Sequence, residues 1–513
     1  MLTHFRRVRN LQRYHKIIAV FARHGFGSAL EQLGVDRYLP LPPTLLKKRA
    51  QPVHLTPAQH FRQALEELGP TFIKLGQVLS TRPDIFPPQY IVELTRLQDG
   101  VAQAPWETML SVLREAYGRE PMELFSDLDP HPLGSASLAQ VHAARLPTGE
   151  AVVLKIQRPN ITRIINADLE ILTDLAHLAQ RSGWGQLYNP IEIVAQFAFT
   201  LQNELDFRRE GINADRFRQN FAEEDQIHIP EVYWEYTTER VLVLERLEGI
   251  RIDDSQALEE AGINRSEIAA LASRLFIKEV MEDGFFHADP HPGNFLIYPL
   301  DKRGKLTIGA MDFGMVGYLA KTERNNILQA FALAARQDVH SLVAHMDRMG
   351  AVSTPLDEMS LERDIERLLS QYKGLPIKYI QTNRVVEEVL RLAYHYRIAL
   401  PADLWLLFKT LAMMDGLVRR IDPDFDIFAQ FEPHMRRIMI ANKMPWTWGP
   451  TFLTDLETFV QAVKEMPRLG DNLLRSLQRG QLPFSFDIGA NRETLDRLDR
   501  VSTRFSLSIL IAA

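Results

Sequence analysis

The sequence predicts an α+β fold of two lobes, a small one that contains a β-sheet and a larger one that is mostly helical, with further helices at both ends. Its 513 residues exceed the roughly 250 to 300 beyond which a single hydrophobic core stops growing. Strand patterns are concentrated in 134–156 and 240–249, whereas from residue 265 onward the apolar periodicity is largely that of helices. Apolar residues make up 46% and charged residues 24%, proportions typical of folded globular proteins.

The chain contains no cysteine. This composition excludes disulfides, thiolate nucleophiles and cysteine-ligated zinc or iron–sulfur clusters. It is compatible with a reducing compartment.

Residues 1–55 form a predicted basic, amphipathic arm. Residues 1–50 contain ten Lys and Arg against two Asp and Glu, a net charge of +8, which leaves −14 for the rest of a chain whose total is −6. Apolar side chains are interleaved with Arg6, Arg7, Arg9, Arg13, Lys16 and Arg23. Such a helix can lie on an anionic membrane surface or pack on its own protein, and the sequence leaves both open. Nucleic acid is not expected as a partner, because the rest of the chain is acidic and lacks a recognised binding module.

The segment 56–128 is predicted to be mainly helical, and its first helix, over about 57–80, contains Lys74-Leu75-Gly76-Gln77. A turn of small residues then runs into a strand hairpin whose second strand covers 150–156. Lys155, near the end of that strand, is placed to reach the α- and β-phosphates of a nucleotide. Small side chains in the turn would let backbone amides approach those phosphates; its members are Gly134, Ser135, Ala136, Ser137 and Leu138.

A single long helix is predicted from about 190 to 220, and it contains Glu204 and Glu210. Six residues apart on one helix, these two side chains would project about 120° from each other, so they could serve different partners. We expect one of them to pair with Lys155, although charge pairs along the helix surface are an open alternative. The β-rich run at 240–249 is suited to a hinge that meets a nucleobase through its backbone, and a plain buried strand fits equally well.

The most informative stretch of the chain spans 287–294 and reads His-Ala-Asp-Pro-His-Pro-Gly-Asn. Asp289, Asn294 five residues later, and Asp312 in an Asp-Phe-Gly turn form the arrangement that holds nucleotide-bound Mg²⁺ near a phosphoryl acceptor in kinase folds. Their oxygens are the hard ligands that Mg²⁺ prefers. A Pro- and Gly-rich turn capped by Asp and Asn is the alternative for the octet alone.

The last segment, 441–513, is predicted to be an amphipathic, helical tail. It ends in nine mainly apolar residues, 505–513, too few for a membrane-spanning helix, which needs about 20. The run is either an ordinary terminal helix or the beginning of a membrane segment that is cut short.

Taken together, these motifs resemble the UbiB family of atypical, protein-kinase-like ATPases associated with ubiquinone biosynthesis. The resemblance rests on four features: the K-x-G-Q sequence at 74–77, the Ala/Ser-rich loop at 134–142, Glu204-x-Asp206, and the paired aspartate–asparagine and Asp-Phe-Gly motifs. It implies an atypical protein-kinase-like bilobal fold, with a small β-containing N-lobe and hinge at 129–249. A helical lid at 56–128 would be added to it, and a helical C-lobe at 250–440 would follow.

The resemblance also implies roles for particular residues. Lys155 would bind the ATP phosphates and pair with Glu210. Asp289 would take the catalytic position, with Asn294 and Asp312 holding the metal. Lys74 and Gln77 would lie over the nucleotide pocket, with Glu204 and Asp206 fastening Lys74. The hinge would be formed by Leu244, Glu245, Arg246 and Leu247.

Two departures from ordinary protein kinases shape the functional expectation. Ala288 stands where an arginine follows the catalytic-loop histidine, and after Gly314 the chain leaves no room for a phosphorylated activation segment. The loop also opens with Gly134 and Ser135, which could shift its nucleotide preference.

The resemblance therefore favours a membrane-associated protein that uses ATP and Mg²⁺ to support polyprenyl quinone production, by hydrolysis coupled to the handling of lipid intermediates. It would act at the cytoplasmic face of the cell inner membrane, peripherally or anchored by its C-terminal segment. Its expected partners are membrane lipids or quinone precursors, with other quinone-biosynthesis enzymes and a homodimer left open. The alternatives are a phosphotransferase acting on a small molecule or lipid, and a nucleotide-binding pseudokinase scaffold.

Overall fold

The computed structural model describes residues 10–32, 55–80, 82, 85–97, 102–181, 189–298, 305–349, 357–372, 382–396, 398, 402–423 and 425. All of them belong to the first of two compact units, Met1–Phe431. The second unit, Glu432–Ala513, lies outside the described residues. The predictions made for the tail at 441–513 and for its apolar end therefore lie outside them too.

A group of helices precedes the sheet. Their bounds are α1 Leu11–Phe21, α2 Gly27–Gln32, α3 Pro57–Leu68, α4 Pro70–Leu79, α5 Pro88–Leu94 and α6 Trp106–Tyr117. The helix predicted over 57–80 is two helices, because Gly69 has a φ of 97° and Pro70 begins α4. The apolar face of α1 packs on its own protein, with Ile17, Ile18 and Val20 each 1% exposed. For this helix the structure thus shows the second of the two arrangements that the sequence left open.

The small lobe is built on one four-stranded sheet. Its strands are β1 Asp127–Ser135, β2 Ala139–Arg145, β3 Ala151–Gln157 and β5 Val241–Glu245, hydrogen-bonded in that order. All neighbouring strands are antiparallel, and Lys155 on β3 lies opposite Val141 on β2 and Leu242 on β5. The apolar side of the sheet is covered by α6, which buries Met109 and Leu113 completely.

Three helices follow β3: α7 Ile161–Arg181, α8 Pro190–Glu204 and α9 Phe207–Asn220. The prediction of one continuous helix from 190 to 220 is wrong, because the chain breaks at 205–206 and Asp206 caps the next helix by accepting from the Arg208 amide. Glu204 and Glu210 therefore lie on different helices, and their separation around one helix axis does not apply.

The larger lobe contains short strands followed by helices. Its strands are β4 Ile227–His228, β6 Ile250–Arg251, β7 Phe285–His287, β8 Phe295–Tyr298, β9 Thr307–Ala310 and β10 Val316–Tyr318. Its helices are α10 Ser255–Glu260, α11 Arg265–Ile277, α12 Lys321–Ala335, α13 Val339–Arg348, α14 Glu358–Tyr372, α15 Thr382–Tyr396 and α16 Ala402–Ile421. One sheet has the order β4-β9-β8-β6, and β7 pairs separately with β10.

None of the helices in the described part of the chain is both long enough and apolar enough to cross a bilayer.

Candidate functional site

Lys155 lies between two carboxylates at the junction of the two lobes. Its Nζ is 2.7 Å from Glu210 Oε1 on α9 and 3.2 Å from Asp312 Oδ2 in the Asp-Phe-Gly turn. The side chains of Lys155 and Glu210 are 15% and 7% exposed, whereas that of Asp312 is 46% exposed. The structure thus brings together three residues that lie far apart in sequence, and it selects Glu210 over Glu204 as the partner of the lysine.

The three groups titrate differently because of burial and of one another. Burial raises the pKa of Glu210 to about 7. The positive charge of Lys155 lowers this pKa, and the negative charge of Asp312 offsets part of that lowering. Burial also opposes ionisation of Lys155 and Asp312, but their mutual attraction raises the pKa of Lys155 and lowers that of Asp312. The cluster is therefore an ammonium and a carboxylate in contact, with a second carboxyl that titrates near neutral pH.

Helix α9 is held in place by its packing against the Asp-Phe-Gly turn. Phe217 on α9 stacks on Phe313 with ring centroids 5.2 Å apart, and Phe313 is 1% exposed. Asn213 Nδ2 donates to the carbonyl of Phe313 at 3.0 Å. Glu210 and Asp312 therefore lie on two elements that are fixed to each other.

The hairpin of β8 and β9 places the candidate metal ligands at one end of the sheet β4-β9-β8-β6. Phe295 on β8 pairs with Ala310 on β9, and the Met311 amide donates to the carbonyl of Asn294 at 2.8 Å. Asn294 comes immediately before β8, and Asp312 follows two residues after β9. The register of the hairpin thus brings these two residues to the same edge.

His287 links the octet to the Asp-Phe-Gly turn. Its Nδ1 accepts from the Asp289 amide at 3.2 Å, while its Nε2 donates to the carbonyl of Asp312 at 2.8 Å. A neutral imidazole with its proton on Nε2 satisfies both bonds. Asp312 is held with a φ of 59°, a conformation in which Asp is better tolerated than most residues.

Asp289 is positioned through its backbone. Its carbonyl accepts from Asn294 Nδ2 at 3.0 Å and from the His291 amide at 2.7 Å. Within the described part of the chain, its carboxylate takes part in no hydrogen bond or ion pair, and the side chain is half-buried. The carboxylate therefore has both oxygens available for a bound group.

Of the residues predicted to form the loop at 134–138, Gly134 and Ser135 end β1, and 136–138 connect β1 to β2. Leu138 and Ser137 are buried, while Gly134, Ser135 and Ala136 are more accessible. Of the four residues predicted to form a hinge, Leu244 and Glu245 end β5, and Arg246 and Leu247 follow it. The Glu245 carboxylate is 3.0 Å from His228 Nε2.

The K-x-G-Q residues lie on α4. Lys74 Nζ is 3.2 Å from Glu204 Oε2, as the family resemblance implies, and Gln77 Nε2 donates to the Leu97 carbonyl at 3.5 Å. Asp206 caps α9 and pairs with Arg208, so a contact between Asp206 and Lys74 stays a prediction. Leu138 belongs to the same hydrophobic core as the buried face of α4, which brings the loop at 136–138 and this helix together.

Two residues of this region were missed by the sequence analysis. Glu279, 8% exposed, accepts from the His287 amide at 2.9 Å, and burial raises its pKa to about 8. Arg158 donates to the carbonyl of Ala136 at 2.8 Å. Both act on backbone atoms of other segments, so no local sequence pattern marks them.

The donor set fits a magnesium-bound nucleotide. Asn294 uses its amide NH₂ to bind Asp289 and keeps its oxygen available. The Asp312 carboxylate contacts the Gly314 amide through Oδ1 and Lys155 through Oδ2, and its side chain is 46% exposed. Hard oxygen donors of this kind beside a lysine suit a cation that bridges phosphate oxygens.

Comparison with known proteins gives consistent matches along the chain. A model of the ABC1 atypical kinase-like domain matches residues 96–346, and one of the UbiB helical domain matches residues 365–426. The chain is 34% identical over 480 residues to a probable protein kinase UbiB of Marinobacter nauticus, covering 91% of this chain and 86% of that protein.

Two further matches are an uncharacterized relative and a solved structure. The chain is 36% identical over 437 residues to the uncharacterized protein sll0095 of Synechocystis, covering 83% of this chain and 76% of that protein. A solved complex of Rv3197 with erythromycin from Mycobacterium tuberculosis is 23% identical and covers 70% of this chain and 90% of that chain, with a TM-score of 0.49.

The two family models and the relative from Marinobacter nauticus confirm the family predicted from the motifs. Together with the sheet-containing lobe and the helical remainder, they also confirm the fold class. The chain belongs to the UbiB family of atypical kinase-like proteins.

Proposed function

We propose that this protein binds ATP with Mg²⁺ and hydrolyses it at a membrane, at the cytoplasmic face of the inner membrane, in support of polyprenyl quinone biosynthesis. Hydrolysis would be coupled to the handling of hydrophobic intermediates. The observation that supports this best is Lys155, 2.7 Å from Glu210 and 3.2 Å from Asp312. A lysine in that position can reach nucleotide phosphates while its partners fix its direction.

Each residue of the site has a separate role in this proposal. Lys155 binds the α- and β-phosphates, the loop at 134–138 covers them, and the hinge at 244–247 meets the adenine. Asn294 and Asp312 hold Mg²⁺, which neutralises phosphate charge when bound. Asp289 orients the attacking water, because its carboxylate is free of contacts within the described residues and its backbone is tied to Asn294.

The connection after the Asp-Phe-Gly turn supports a non-protein acceptor. From Gly314 the chain passes directly into β10, Val316–Tyr318, and then α12 begins at Lys321. The Leu319 amide donates to the Gly284 carbonyl at 2.8 Å, so the connection is tied down. It offers no extended platform for a peptide substrate.

ATPase turnover with and without anionic liposomes tests the proposal. We expect magnesium-dependent hydrolysis that increases with liposomes, and about a hundredfold loss or more in Asp289→Asn, by the usual size of acid–base contributions. Nucleotide binding should survive in that variant. A folded protein that binds no nucleotide in either condition would contradict the proposal.

A second candidate is phosphoryl transfer to a small molecule or lipid head group, favoured by the same contact-free carboxylate of Asp289. Such a carboxylate can accept the proton of a substrate hydroxyl. Labelled phosphate that appears in an extracted lipid or metabolite would identify transfer, whereas hydrolysis alone releases it as inorganic phosphate. If Asp289→Asn retained full function in cells, the protein would act as a nucleotide-binding scaffold instead.

A further inference from the structure

Arg158 makes a set of contacts that neither the motifs nor the proposed catalytic roles explain. It follows β3 directly, three residues after Lys155, and its guanidinium points to the loop at 134–138. Its Nε donates to the Ala136 carbonyl at 2.8 Å, and an Nη donates to Ser135 Oγ at 2.6 Å. Its own amide donates to the carbonyl of Leu138 at 2.9 Å. One residue therefore holds the loop at its beginning, middle and end.

The same guanidinium reaches a second segment. Its Nη donates to the carbonyl of Ala102 at 2.9 Å, in the stretch that connects the lid helices to α6. Gln140 on β2 fixes that stretch again, because its Oε1 accepts from the Ala104 amide at 2.8 Å and its Nε2 donates to the Ala104 carbonyl at 3.3 Å.

A buried histidine completes the arrangement. His142 is 0% exposed, and its Nδ1 lies 2.9 Å from the carbonyl of Asp129 on β1, so this nitrogen donates. Its Nε2 is then the acceptor of the Gln140 amide at 3.0 Å. Burial lowers the pKa of His142, which keeps the ring neutral and both bonds intact.

We propose that Arg158 is a positioning residue that holds the loop at 134–138 in the shape that receives the nucleotide phosphates and ties that loop to the segment following the lid helices. The inference rests on the proposed nucleotide site. It adds that nucleotide affinity and the position of the segment at 102–104 depend on a side chain outside the set proposed above to bind nucleotide or metal.

The geometry explains why arginine is suited to this position. Three acceptors from two segments are met by one planar fork of donors, which a single ammonium cannot reproduce. The backbone of a loop rich in alanine and serine can adopt fewer conformations than that of a glycine-rich loop. Hydrogen bonds from Arg158 can therefore hold it in one of them.

The test compares Arg158→Met and Arg158→Lys with wild type. Arg145→Met is the matched control, because Arg145 is on the same sheet and donates to the Gly149 carbonyl at 2.6 Å at the far end of the hairpin. We expect Arg158→Met to raise the KM and Kd for MgATP about tenfold or more, the usual effect of losing charge-assisted hydrogen bonds. The kcat should stay within about threefold, and Arg158→Lys should restore part of the affinity. The control should match wild type.

Hydrogen exchange without nucleotide provides an independent readout. In Arg158→Met we expect faster exchange in 134–138 and 102–104 and in α4, with β5 unchanged. This measurement remains informative if wild type binds no nucleotide. Failure of the proposed function can therefore be distinguished from failure of the present inference. The inference is overturned if Kd and loop exchange stay at wild-type values, or if kcat falls while KM does not.

Discussion

At the scale of single residues, Lys155 determines the charge state of the whole site. Glu210, whose pKa is about 7, and Asp312, whose pKa is lowered, face the same ammonium. Because Lys155 contacts both carboxyls, removing the lysine changes the pKa of each of them as well as the affinity for phosphates.

We expect Lys155→Met to bind MgATP at least tenfold more weakly, since a charged contact to phosphate is lost. Loss of the cation also raises the pKa of Glu210 above about 7, so the folded variant takes up a proton near neutral pH. The cost in stability should therefore grow as pH rises from 6 to 8.5, reaching about 1–3 kcal/mol. Urea unfolding at several pH values measures it, and a cost that does not depend on pH would contradict this effect of Lys155 on Glu210.

Glu279 gives a second prediction based on pH. Its folded-state pKa of about 8 lies above that of a carboxyl in the unfolded chain, so the folded protein binds the extra proton between these values. Stability contributed by this group is thus fully present at low pH and is lost as pH rises through 8. We expect Glu279→Gln, which still accepts from His287, to flatten the decline between pH 5.5 and 8.5 by about 2–4 kcal/mol.

The control for Glu279 is Glu267→Gln, which removes an exposed carboxylate from the preceding helix, α11. It should retain the wild-type slope of unfolding free energy against pH. An identical slope in wild type and Glu279→Gln would show that the buried carboxyl does not titrate in this range.

At the scale of elements, Gly76 explains why the K-x-G-Q segment contains a glycine. A Cβ at this position would overlap Leu97 Cδ1 and lie 2.8 Å from Leu65 Cδ1 and 3.2 Å from Leu94 Cδ2. The glycine thus lets α4 pack closely against α3 and α5, and it keeps Lys74 and Gln77 at their present positions.

We expect Gly76→Ala to destabilise the protein by about 1–3 kcal/mol, because the added methyl group forces packed helices apart. Gly416→Ala is the matched control. Gly416 lies inside α16, and no atom of the described residues is within 4 Å of the added carbon, so the substitution should stabilise the protein by up to about 1 kcal/mol. Chemical unfolding of both variants provides the comparison. Equal effects would mean that helix propensity alone decides at Gly76.

The same elements show what the sequence could and could not predict. Lys155, Asn294 and Asp312 can be predicted as site residues because short motifs mark residues whose chemistry is local. The prediction of a single helix over 190–220 is wrong, because a new helix begins at Phe207 and the side chain of Asp206 caps it. Glu279 and Arg158 act on the backbone of segments 8 and 22 residues away, and a single sequence does not show such pairings.

At the scale of the whole molecule, the N-terminal helix is part of the folded unit. Arg13 on α1 contacts Asp168 on α7 through two bonds of 2.6 and 2.7 Å, across 155 residues of sequence. Asp168 is 0% exposed and also accepts from Thr71 on α4 at 2.6 Å. Helices α1, α4 and α7 therefore meet at one buried carboxylate.

We expect Arg13→Met to destabilise the protein by about 3–5 kcal/mol, because it leaves the Asp168 carboxylate buried without its cation. Arg23→Met is the matched control from the same N-terminal segment. Arg23 pairs with Glu67 at 2.8 Å but is 60% exposed, and exposed pairs contribute at most about 1 kcal/mol. Unfolding measurements should separate the two variants, and hydrogen exchange should rise in α4 and α7 only for Arg13→Met. If both variants unfolded alike, α1 would be a peripheral attachment and the lid would be held by its other contacts, such as Lys74 with Glu204.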